Sequence, residues 1–273
     1  MRAALLQMTS GIDPLANARV LTDAIARAAG ESAAMLFTPE MSGLIDRDRA
    51  RAAGSIVAEA DDPVLAAVRD ASAKAGLWVH LGSLAVRADD GRWANRGFVI
   101  DDSGAIRARY DKLHLFDVDL PTGESWRESA AYVPGETATV VETPVGRLGL
   151  SICYDLRFPD LYRALSDAGA TVLAVPSAFT RPTGAAHWHV LLRARAIEAG
   201  CFVLAAAQTG THDDGRATYG HALAIDPWGE MLLDMGEEAG LGFVELDPAR
   251  LADVRARVPA LTHRRAIPVV TAA

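Results

Sequence analysis

The stretch SICYDLRFP, residues 151–159, joins a predicted strand to a predicted helix and holds one of the two cysteines of the chain. Residues 149–152 are typical of a short buried strand. Pro159 suits the first turn of a helix, where its missing N–H costs nothing, and Gly169 fits the C-terminal cap. Cys153 would lie near free backbone N–H groups and the positive end of a helix dipole, which favour the reactive thiolate. The stretch therefore predicts a candidate nucleophile at a strand–helix junction, although a lone cysteine in an apolar run is more often an inert core residue.

The rest of the chain alternates predicted strands and helices, beginning with an apolar strand at residues 1–8 and a helix started by Asp13-Pro14. The same alternation continues with a strand at 33–37, a helix from Pro63 to Gly76, strands at 77–86, 96–101 and 171–175, a helix at 185–199 closed by Gly200, and strands at 201–207, 219–226, 231–234 and 241–246. This pattern predicts sheets covered by helices. Because the 273 residues contain no linker or low-complexity run, we expect one domain over residues 1–273.

Two further stretches place charged residues in surroundings that suggest a site. In FTPEMSG, residues 37–43, Glu40 follows a predicted buried strand, and ligands bind at strand ends in open α/β sheets. In YDKLHLFD, residues 110–117, Lys112 stands among apolar and aromatic residues. Taken alone, Glu40 fits a solvated loop residue and Lys112 a surface lysine beside an ion-paired aspartate. Together with Cys153, they favour a shared site.

These three residues resemble the Glu-Lys-Cys triad of the nitrilase superfamily of carbon–nitrogen hydrolases. Their order and neighbours agree with the family: PE at Glu40, KLHLF from Lys112 and CYDLRFP from Cys153. Glu128, shortly before Tyr-Val-Pro-Gly, matches a second acidic residue of that family. The resemblance covers nearly the whole chain. It implies a four-layer α-β-β-α sandwich that usually pairs through its helices, and therefore a homodimer or larger homo-oligomer.

The resemblance also implies amide hydrolysis through a cysteine thioester, and the residue types suit each step. Cys153 supplies the nucleophile, while Glu40 takes the thiol proton and returns a proton to the leaving group. Lys112 and the backbone N–H of Tyr154 would stabilise the negative charge on the carbonyl oxygen. Glu128 would position the substrate, or else it is a helix-surface glutamate.

Further segments look like the Nit branch of the superfamily, whose members are amidases acting on small amides that carry a free carboxylate. These segments are PSAFT (176–180), LLRARAIE (191–198), AAAQ (205–208) and DPWG (226–229). AAAQ and RARAIE resemble the deaminated-glutathione amidases most, and KLHLFDVD fits the ω-amidases acting on α-ketoglutaramate almost as well. An N-carbamoyl amino acid hydrolase, a nitrilase and a catalytically silent binding protein remain alternatives. Residues 119–128, DLPTGESWRE, depart from the pattern and help to shape the substrate mouth.

A substrate that carries a carboxylate needs a cation near the thiol. Arg157 follows Cys153 by four residues and can form a bidentate pair with a carboxylate, or else a structural ion pair with Asp155 or Asp160. His187 either donates to the substrate or caps the helix that is predicted to open at residue 185. The other predicted pocket walls are Met41, Phe179 and Thr183.

Composition disfavours several other classes. Lys and Arg number 27 and Asp and Glu 35, giving a net charge of −8 without any basic run, so we expect no nucleic-acid partner. The absence of G-x-S-x-G, G-x-G-x-x-G and G-K-[ST] motifs disfavours serine hydrolases and nucleotide-binding enzymes. Two cysteines give neither a disulfide framework nor zinc spacing, and HDD at 212–214 lies in a polar loop, so we expect no metal and no cofactor. No apolar run approaches the roughly 20 residues of a membrane helix, and residues 1–8 are too short for a signal peptide, so we expect a cytoplasmic protein. The partner that the resemblance implies is a small-molecule amide substrate.

Overall fold

The computed structural model describes residues 1–119, 123, 125–269 and 271. The helices are α1 (Pro14–Gly30), α2 (Arg49–Ala52), α3 (Pro63–Ala75), α4 (Pro159–Asp167), α5 (Arg181–Ala199) and α6 (Pro248–Arg257). None of these helices combines the length and apolar character needed to cross a membrane. The strands are β1 (Arg2–Gln7), β2 (Met35–Phe37), β3 (Trp78–Arg87), β4 (Trp93–Ile100), β5 (Ile106–Asp111), β6 (Asp117–Asp119), β7 (Ser125–Arg127), β8 (Val140–Thr143), β9 (Gly146–Leu150), β10 (Val172–Ala174), β11 (Phe202–Ala205), β12 (Thr209–Thr211), β13 (Ala217–Tyr219), β14 (Leu223–Ile225), β15 (Met231–Asp234) and β16 (Gly240–Glu245).

Most of these strands form two six-stranded sheets with parallel centres. The first sheet has the order β16-β1-β2-β3-β4-β5, and its strands β1, β2 and β3 are parallel, with Ala3 opposite Met35. The second has the order β15-β14-β11-β10-β9-β8, and β9, β10 and β11 are parallel, with Leu150 opposite Ala174. Parallel neighbours need crossover connections, which explains the alternation of helices and strands along the chain.

The alternating residues of β1 show how the layers stack. Ala3 and Leu5 lie in the core that joins the two sheets, whereas Ala4 and Leu6 pack with α1 and α3 on the other face. Helices α4 and α5 cover the second sheet through contacts with β9, β11 and β14. The order of layers is therefore helix, sheet, sheet, helix, which confirms the predicted four-layer α-β-β-α sandwich.

Several helix ends lie where the sequence places them. The Asp13 carboxylate accepts hydrogen bonds from the N–H groups of Leu15 and Ala16 at the start of α1, as expected of an N-cap. Gly76 and Gly200 follow α3 and α5 with φ of 61° and 55°. This left-handed conformation suits glycine and stops both helices at the predicted positions.

The start of α5 differs from the prediction. The helix begins at Arg181 after Thr180, four residues before the predicted start at residue 185. Pro182 fits this first turn because its missing N–H would have no helical partner there. His187 therefore lies in the second turn of α5, and the interpretation of His187 as a cap is wrong.

The predicted strand at 219–226 is divided in two. Strand β13 pairs with β12 in a small ribbon, and β14 pairs with β11 in the second sheet. Between them, Gly220 and His221 have φ of 74° and 54°, which turns the chain from one sheet to the other. The alternation of apolar residues alone did not reveal this break.

Candidate active site

The turn after β9 presents Cys153 in a strained conformation. A 3-10 turn runs from Cys153 to Arg157 before α4 begins. Cys153 has φ of 48°, a left-handed conformation that costs a non-glycine residue on the order of 1–3 kcal/mol. Its backbone N–H donates to the Pro176 carbonyl at 2.9 Å, which ties the turn to the chain after β10. Strained strand-to-helix turns of this kind expose the side chain of a nucleophile.

Asp155 fixes this turn from within the core. Its fully buried carboxylate accepts hydrogen bonds from the Ile152 N–H (2.8 Å), the Tyr110 hydroxyl (2.7 Å) and the His114 N–H (3.0 Å). Tyr110 and His114 lie two residues to either side of Lys112 in the sequence. One carboxylate therefore holds the cysteine turn against the segment that carries the lysine.

Glu40 lies three residues beyond β2 and is buried. Its Oε2 accepts a hydrogen bond from the Ala178 N–H at 2.9 Å, and its Oε1 accepts one from Asn95 Nδ2 at 3.0 Å. The loop before Glu40 packs tightly on Gly82 of β3, where a Cβ atom would lie 2.1 and 2.4 Å from backbone carbonyl oxygens of that loop. Glycine at this position allows the loop to approach and point the carboxylate inward.

Lys112 follows β5 directly and is 2% exposed. Its Nζ donates to Glu40 Oε1 at 2.8 Å and to Glu128 Oε2 at 2.9 Å. Glu128 also accepts hydrogen bonds from the Phe116 N–H (2.6 Å) and from Asn95 Nδ2 (3.2 Å). The ammonium group and the Asn95 amide therefore bridge the two carboxylates, and Glu128 belongs to the site rather than to a helix surface.

The charges within this cluster decide which groups are ionised. Burial raises the pKa of the Glu40 carboxyl, but the Lys112 ammonium and the hydrogen-bond donors around the carboxylate together bring that pKa below its ordinary value. Burial lowers the pKa of Lys112, and the carboxylates of Glu128 and Glu40 reverse this and raise it well above its usual value. Burial and the Glu40 carboxylate raise the pKa of the Cys153 thiol well above its usual value. The resting site therefore holds a carboxylate, an ammonium group and a neutral thiol, and not the thiolate favoured by the helix-dipole argument.

This arrangement provides both a base and a place for an oxyanion. The Glu40 carboxylate lies close enough to the Cys153 thiol to raise its pKa, so it is positioned to accept the proton. The Tyr154 N–H, next along the turn, has no acceptor among the described residues. Together with Lys112 Nζ, it can donate to a carbonyl oxygen that becomes negatively charged.

A cavity of about 400 Å³ opens over the cluster. The predicted site residues that line it are Glu40, Met41, Lys112, Glu128, Cys153, Tyr154, Phe179 and Thr183. The remaining lining residues are Ser125, Trp126 and Arg127 from the predicted mouth loop, together with Asp46, Arg47, Arg49, Trp93, Phe116, Tyr132, Ala178, Thr180 and Arg216, which were not predicted as pocket residues. Residues 125–128 of the predicted mouth loop line the cavity, while 120–122 and 124 of that loop lie outside the described residues.

Arg157 and His187, predicted to bind substrate, do not line the cavity. Arg157 Nη1 lies 3.3 Å from His187 Nδ1, and its guanidinium carbon lies 5.8 and 5.6 Å from the ring centroids of Tyr154 and Phe179. Because those two rings line the cavity, Arg157 stands behind one of its walls. Arg157 forms no ion pair with a neighbouring aspartate in the described part of the chain, so that alternative is wrong. Its role in binding substrate stays a prediction.

The polar HDD segment at 212–214 is part of the packing. The two ring nitrogens of the buried His212 lie 2.8 Å from a backbone carbonyl and 2.8 Å from a threonine hydroxyl. A different group, His189, His221 and Asp234, brings potential metal-ligand atoms within 4.8 Å of one another. Its carboxylate hydrogen-bonds both imidazoles, and none of the three residues lines the cavity.

Known proteins similar to this chain share its architecture. The carbon-nitrogen hydrolase family model matches residues 2–256. A deaminated glutathione amidase from Yersinia enterocolitica is 39% identical over 265 residues, which cover 96% of this chain and 92% of that protein. The crystal structure of the C. elegans NitFhit protein has a TM-score of 0.90 and 38% identity, covering 97% of this chain and 65% of that one. An amidase from Nesterenkonia sp. AN1, in a structure showing the result of Michael addition of acrylamide at the active site cysteine, has a TM-score of 0.79 and 30% identity, covering 95% of this chain and 98% of that one. The chain belongs to the carbon–nitrogen hydrolase family.

Proposed function

We propose that this enzyme hydrolyses a small amide bearing free carboxylates, of the deaminated glutathione type, through a thioester on Cys153. The observation that carries the proposal is the buried cluster in which Lys112 bonds both Glu40 and Glu128 beside the thiol. The similarity to a deaminated glutathione amidase over 96% of the chain supports the substrate class.

The charge of the cavity lining supports an anionic substrate. Among the described residues, five cationic side chains and three carboxylates line the cavity. This local excess of two positive charges occurs in a protein whose net charge is −8. A concave site with a charge opposite to that of the surrounding protein concentrates ligands of the complementary sign.

In the acylation step, the Cys153 thiol gives its proton to Glu40 as sulfur attacks the amide carbon. The carbonyl oxygen becomes an oxyanion that accepts hydrogen bonds from Lys112 Nζ and the Tyr154 N–H. As the C–N bond breaks, Glu40 returns the proton to the nitrogen, and ammonia or an amine leaves. The acyl group stays on sulfur as a thioester.

In the deacylation step, Glu40 takes a proton from water, whose oxygen attacks the thioester carbon. The same donors stabilise the second oxyanion, and the C–S bond breaks to release a carboxylic acid. The thiolate recovers a proton from Glu40, which restores the resting cluster. Throughout, Glu128 accepts hydrogen bonds from Lys112 Nζ and from the Phe116 N–H. Its role is therefore to position the ammonium group and the backbone at Phe116, which lines the cavity.

A product-release assay with a defined panel of substrates tests the proposal. We expect the highest kcat/KM with deaminated glutathione, lower values with α-ketoglutaramate, and little turnover of N-carbamoyl amino acids or nitriles. The Cys153→Ala variant provides the blank for each substrate. A preference for α-ketoglutaramate would make the enzyme an ω-amidase, and faster turnover of nitriles or carbamoyl compounds would move it to a rival branch.

The proposal includes a cytoplasmic homo-oligomer of single-domain subunits. Both cysteines are buried and free, which fits a reducing compartment. Val190 and Ile197, seven residues apart on one face of α5, are 69% and 52% exposed. A second copy packed on this face would cover both side chains, and sedimentation velocity will show whether the protein pairs in solution.

A further inference from the structure

Two hydrogen-bond donors in the cavity wall have no partner among the described residues. They are the indole Nε1 of Trp126 and the guanidinium Nε of Arg216, and both atoms are buried. Both side chains line the cavity over Cys153. Buried polar groups in folded proteins are nearly always hydrogen-bonded, because an unpaired one loses its interactions with water and gains nothing in return. The wall that these two side chains form is therefore short of hydrogen-bond acceptors.

The two side chains lie against each other. The guanidinium carbon of Arg216 is 4.4 Å from the centroid of the Trp126 ring, and that of Arg47 is 5.6 Å from the same ring. Contact with an aromatic ring holds a flat guanidinium group in one orientation and leaves its N–H edges available. Such an edge matches the two oxygens of a carboxylate.

Among the described residues, Asp214 is the only carboxylate that forms an ion pair with Arg47 or Arg216, while Glu40 and Asp46 act on Arg216 from farther away. Asp214 Oδ2 lies 3.6 Å from Arg216 Nη2 and 3.9 Å from Arg47 Nε, distances too long for direct hydrogen bonds. The Asp214 carboxylate also accepts hydrogen bonds from the backbone N–H groups of Arg47 and Arg216, each at 2.9 Å. Burial lowers the pKa of Arg216 even though Asp214 opposes that shift. The pair of arginines is therefore only partly neutralised and favours one further negative charge.

This cationic wall lies toward the open side of the cavity. The Trp126 ring is 6.3 Å from Phe116, which is 5.1 Å from Tyr154 beside the nucleophile. The Arg47 side chain is 49% exposed, whereas Cys153 is 7% exposed. When the C–N bond breaks, the acyl half of the substrate stays on Cys153 and the amine half must leave toward solvent. The open side is therefore the side of the leaving group.

We infer that Arg216 and Trp126, assisted by Arg47, bind a carboxylate on the leaving-amine half of the substrate. The ligand class is a short peptide-like amide with a carboxylate on each side of the scissile bond. This inference rests on the proposed function, and it narrows the substrate from amides with any carboxylate to amides whose leaving group carries one.

A matched pair of substrates tests the subsite. Deaminated glutathione has a free carboxylate on its leaving group, and its C-terminal carboxamide differs in that one charge. We expect Arg216→Gln to raise KM for the acid about 10- to 100-fold, the effect of losing a charge-assisted hydrogen bond. KM for the carboxamide and kcat for both substrates should change less than about twofold. Arg92→Gln removes a charge from an exposed pair with Asp90 and should behave as wild type.

Trp126→Phe provides a second probe that does not depend on Arg216→Gln folding well. It keeps an aromatic ring and removes the unpaired N–H, so it should raise KM for the acid and leave the carboxamide unaffected. Arg216→Lys should recover part of the loss. Equal losses on the two substrates would make these residues structural and overturn the subsite, as would a wild-type enzyme that does not distinguish acid from carboxamide. A wild-type enzyme that hydrolyses neither compound overturns the proposed function, and the subsite with it.

Discussion

Replacing Lys112 by methionine tests whether one cation holds the site together as well as serving catalysis. Methionine keeps most of the length of the side chain and removes its charge. Lys112 Nζ is 2.8 Å from Glu40 Oε1 and 2.9 Å from Glu128 Oε2, and the lysine is 2% exposed. Removing one partner from a buried ion pair costs about 3–5 kcal/mol of stability, because the remaining charge is left uncompensated. Losing an oxyanion donor lowers kcat by about 10²- to 10³-fold in addition.

The stability of Lys112→Met should change with pH in the direction opposite to that expected for the wild type. In the wild type, burial raises the pKa of Glu40, but Lys112 and the neighbouring hydrogen-bond donors together lower it below its ordinary value. This carboxyl therefore stabilises the fold above its unfolded pKa, and the contribution falls in acid. In Lys112→Met, Glu40 and Glu128 share the Asn95 amide without a cation, so one of them takes up a proton and its folded pKa rises above the unfolded value. The variant is then best stabilised below that unfolded pKa and loses about 1.4 kcal/mol for each unit of raised pKa as pH increases through the folded value.

Urea unfolding of both proteins at pH 5 and pH 7.5 measures this difference. The deficit of Lys112→Met relative to wild type should be smaller at pH 5. The double variant Lys112→Met/Glu128→Gln removes the clash between carboxylates, so it should recover much of the stability at pH 7.5 while remaining as inactive as the single variant. A deficit that does not change with pH, or a double variant no more stable than the single one, would refute the coupling of the two carboxylates through Lys112.

Two other substitutions test the nucleophile and the predicted carboxylate contact. Cys153→Ala should abolish turnover with the fold intact. Alkylation of the wild type should label Cys153 rather than the fully buried Cys201, because burial raises the pKa of Cys201 to about 11. An active Cys153→Ala variant or preferential labelling of Cys201 would exclude Cys153 as the nucleophile. Arg157→Gln should raise KM for anionic amides about 10- to 100-fold, as expected for a lost charge-assisted hydrogen bond, with little effect on an uncharged amide of similar size. Equal losses on both would show that the contact of Arg157 with His187 is structural.

The residues that the structure brings together around Cys153 could be predicted because the sequence around each of them is unusual for a charged or reactive residue. Lys112 stands between Tyr110 and a run of apolar residues, and the structure buries it. Cys153 lies at a strand–helix junction marked by Pro159. The predicted ionisation state of Cys153 differs from the one that the structure favours. Burial and the neighbouring Glu40 carboxylate raise the pKa of the thiol, and the prediction from the helix dipole took account of neither.

Asn95 and Asp155 were missed for a different reason. Asn95 is a fully buried polar residue within strand β4, and its amide bridges Glu40 and Glu128. The strand sequence WANRGFVI shows the polar interruption, but nothing in it tells which groups the side chain meets across the sheet. Asp155 was considered as a partner of Arg157, whereas its four contacts run inward to the backbone and side chains around the cysteine turn. Both roles depend on contacts between elements distant in sequence.

Whether a site residue could be predicted depends on whether it lies in the buried cluster or at the open side of the cavity. A lysine such as Lys112 acts strongly because water is excluded around it, so its neighbours must be apolar and leave a recognisable pattern. Arg47 and Arg216 line the cavity from polar loops, and such loops carry no sequence pattern that marks a binding residue. Arg216 lies in the loop between β12 and β13 and contacts Trp126, which is 90 residues away in sequence. In the inferred subsite, Arg216 and Trp126 set the choice of leaving group without belonging to the buried cluster around Lys112. A related chain that keeps Glu40, Lys112 and Cys153 but loses the Arg216–Trp126 pair should therefore hydrolyse amides with uncharged leaving groups.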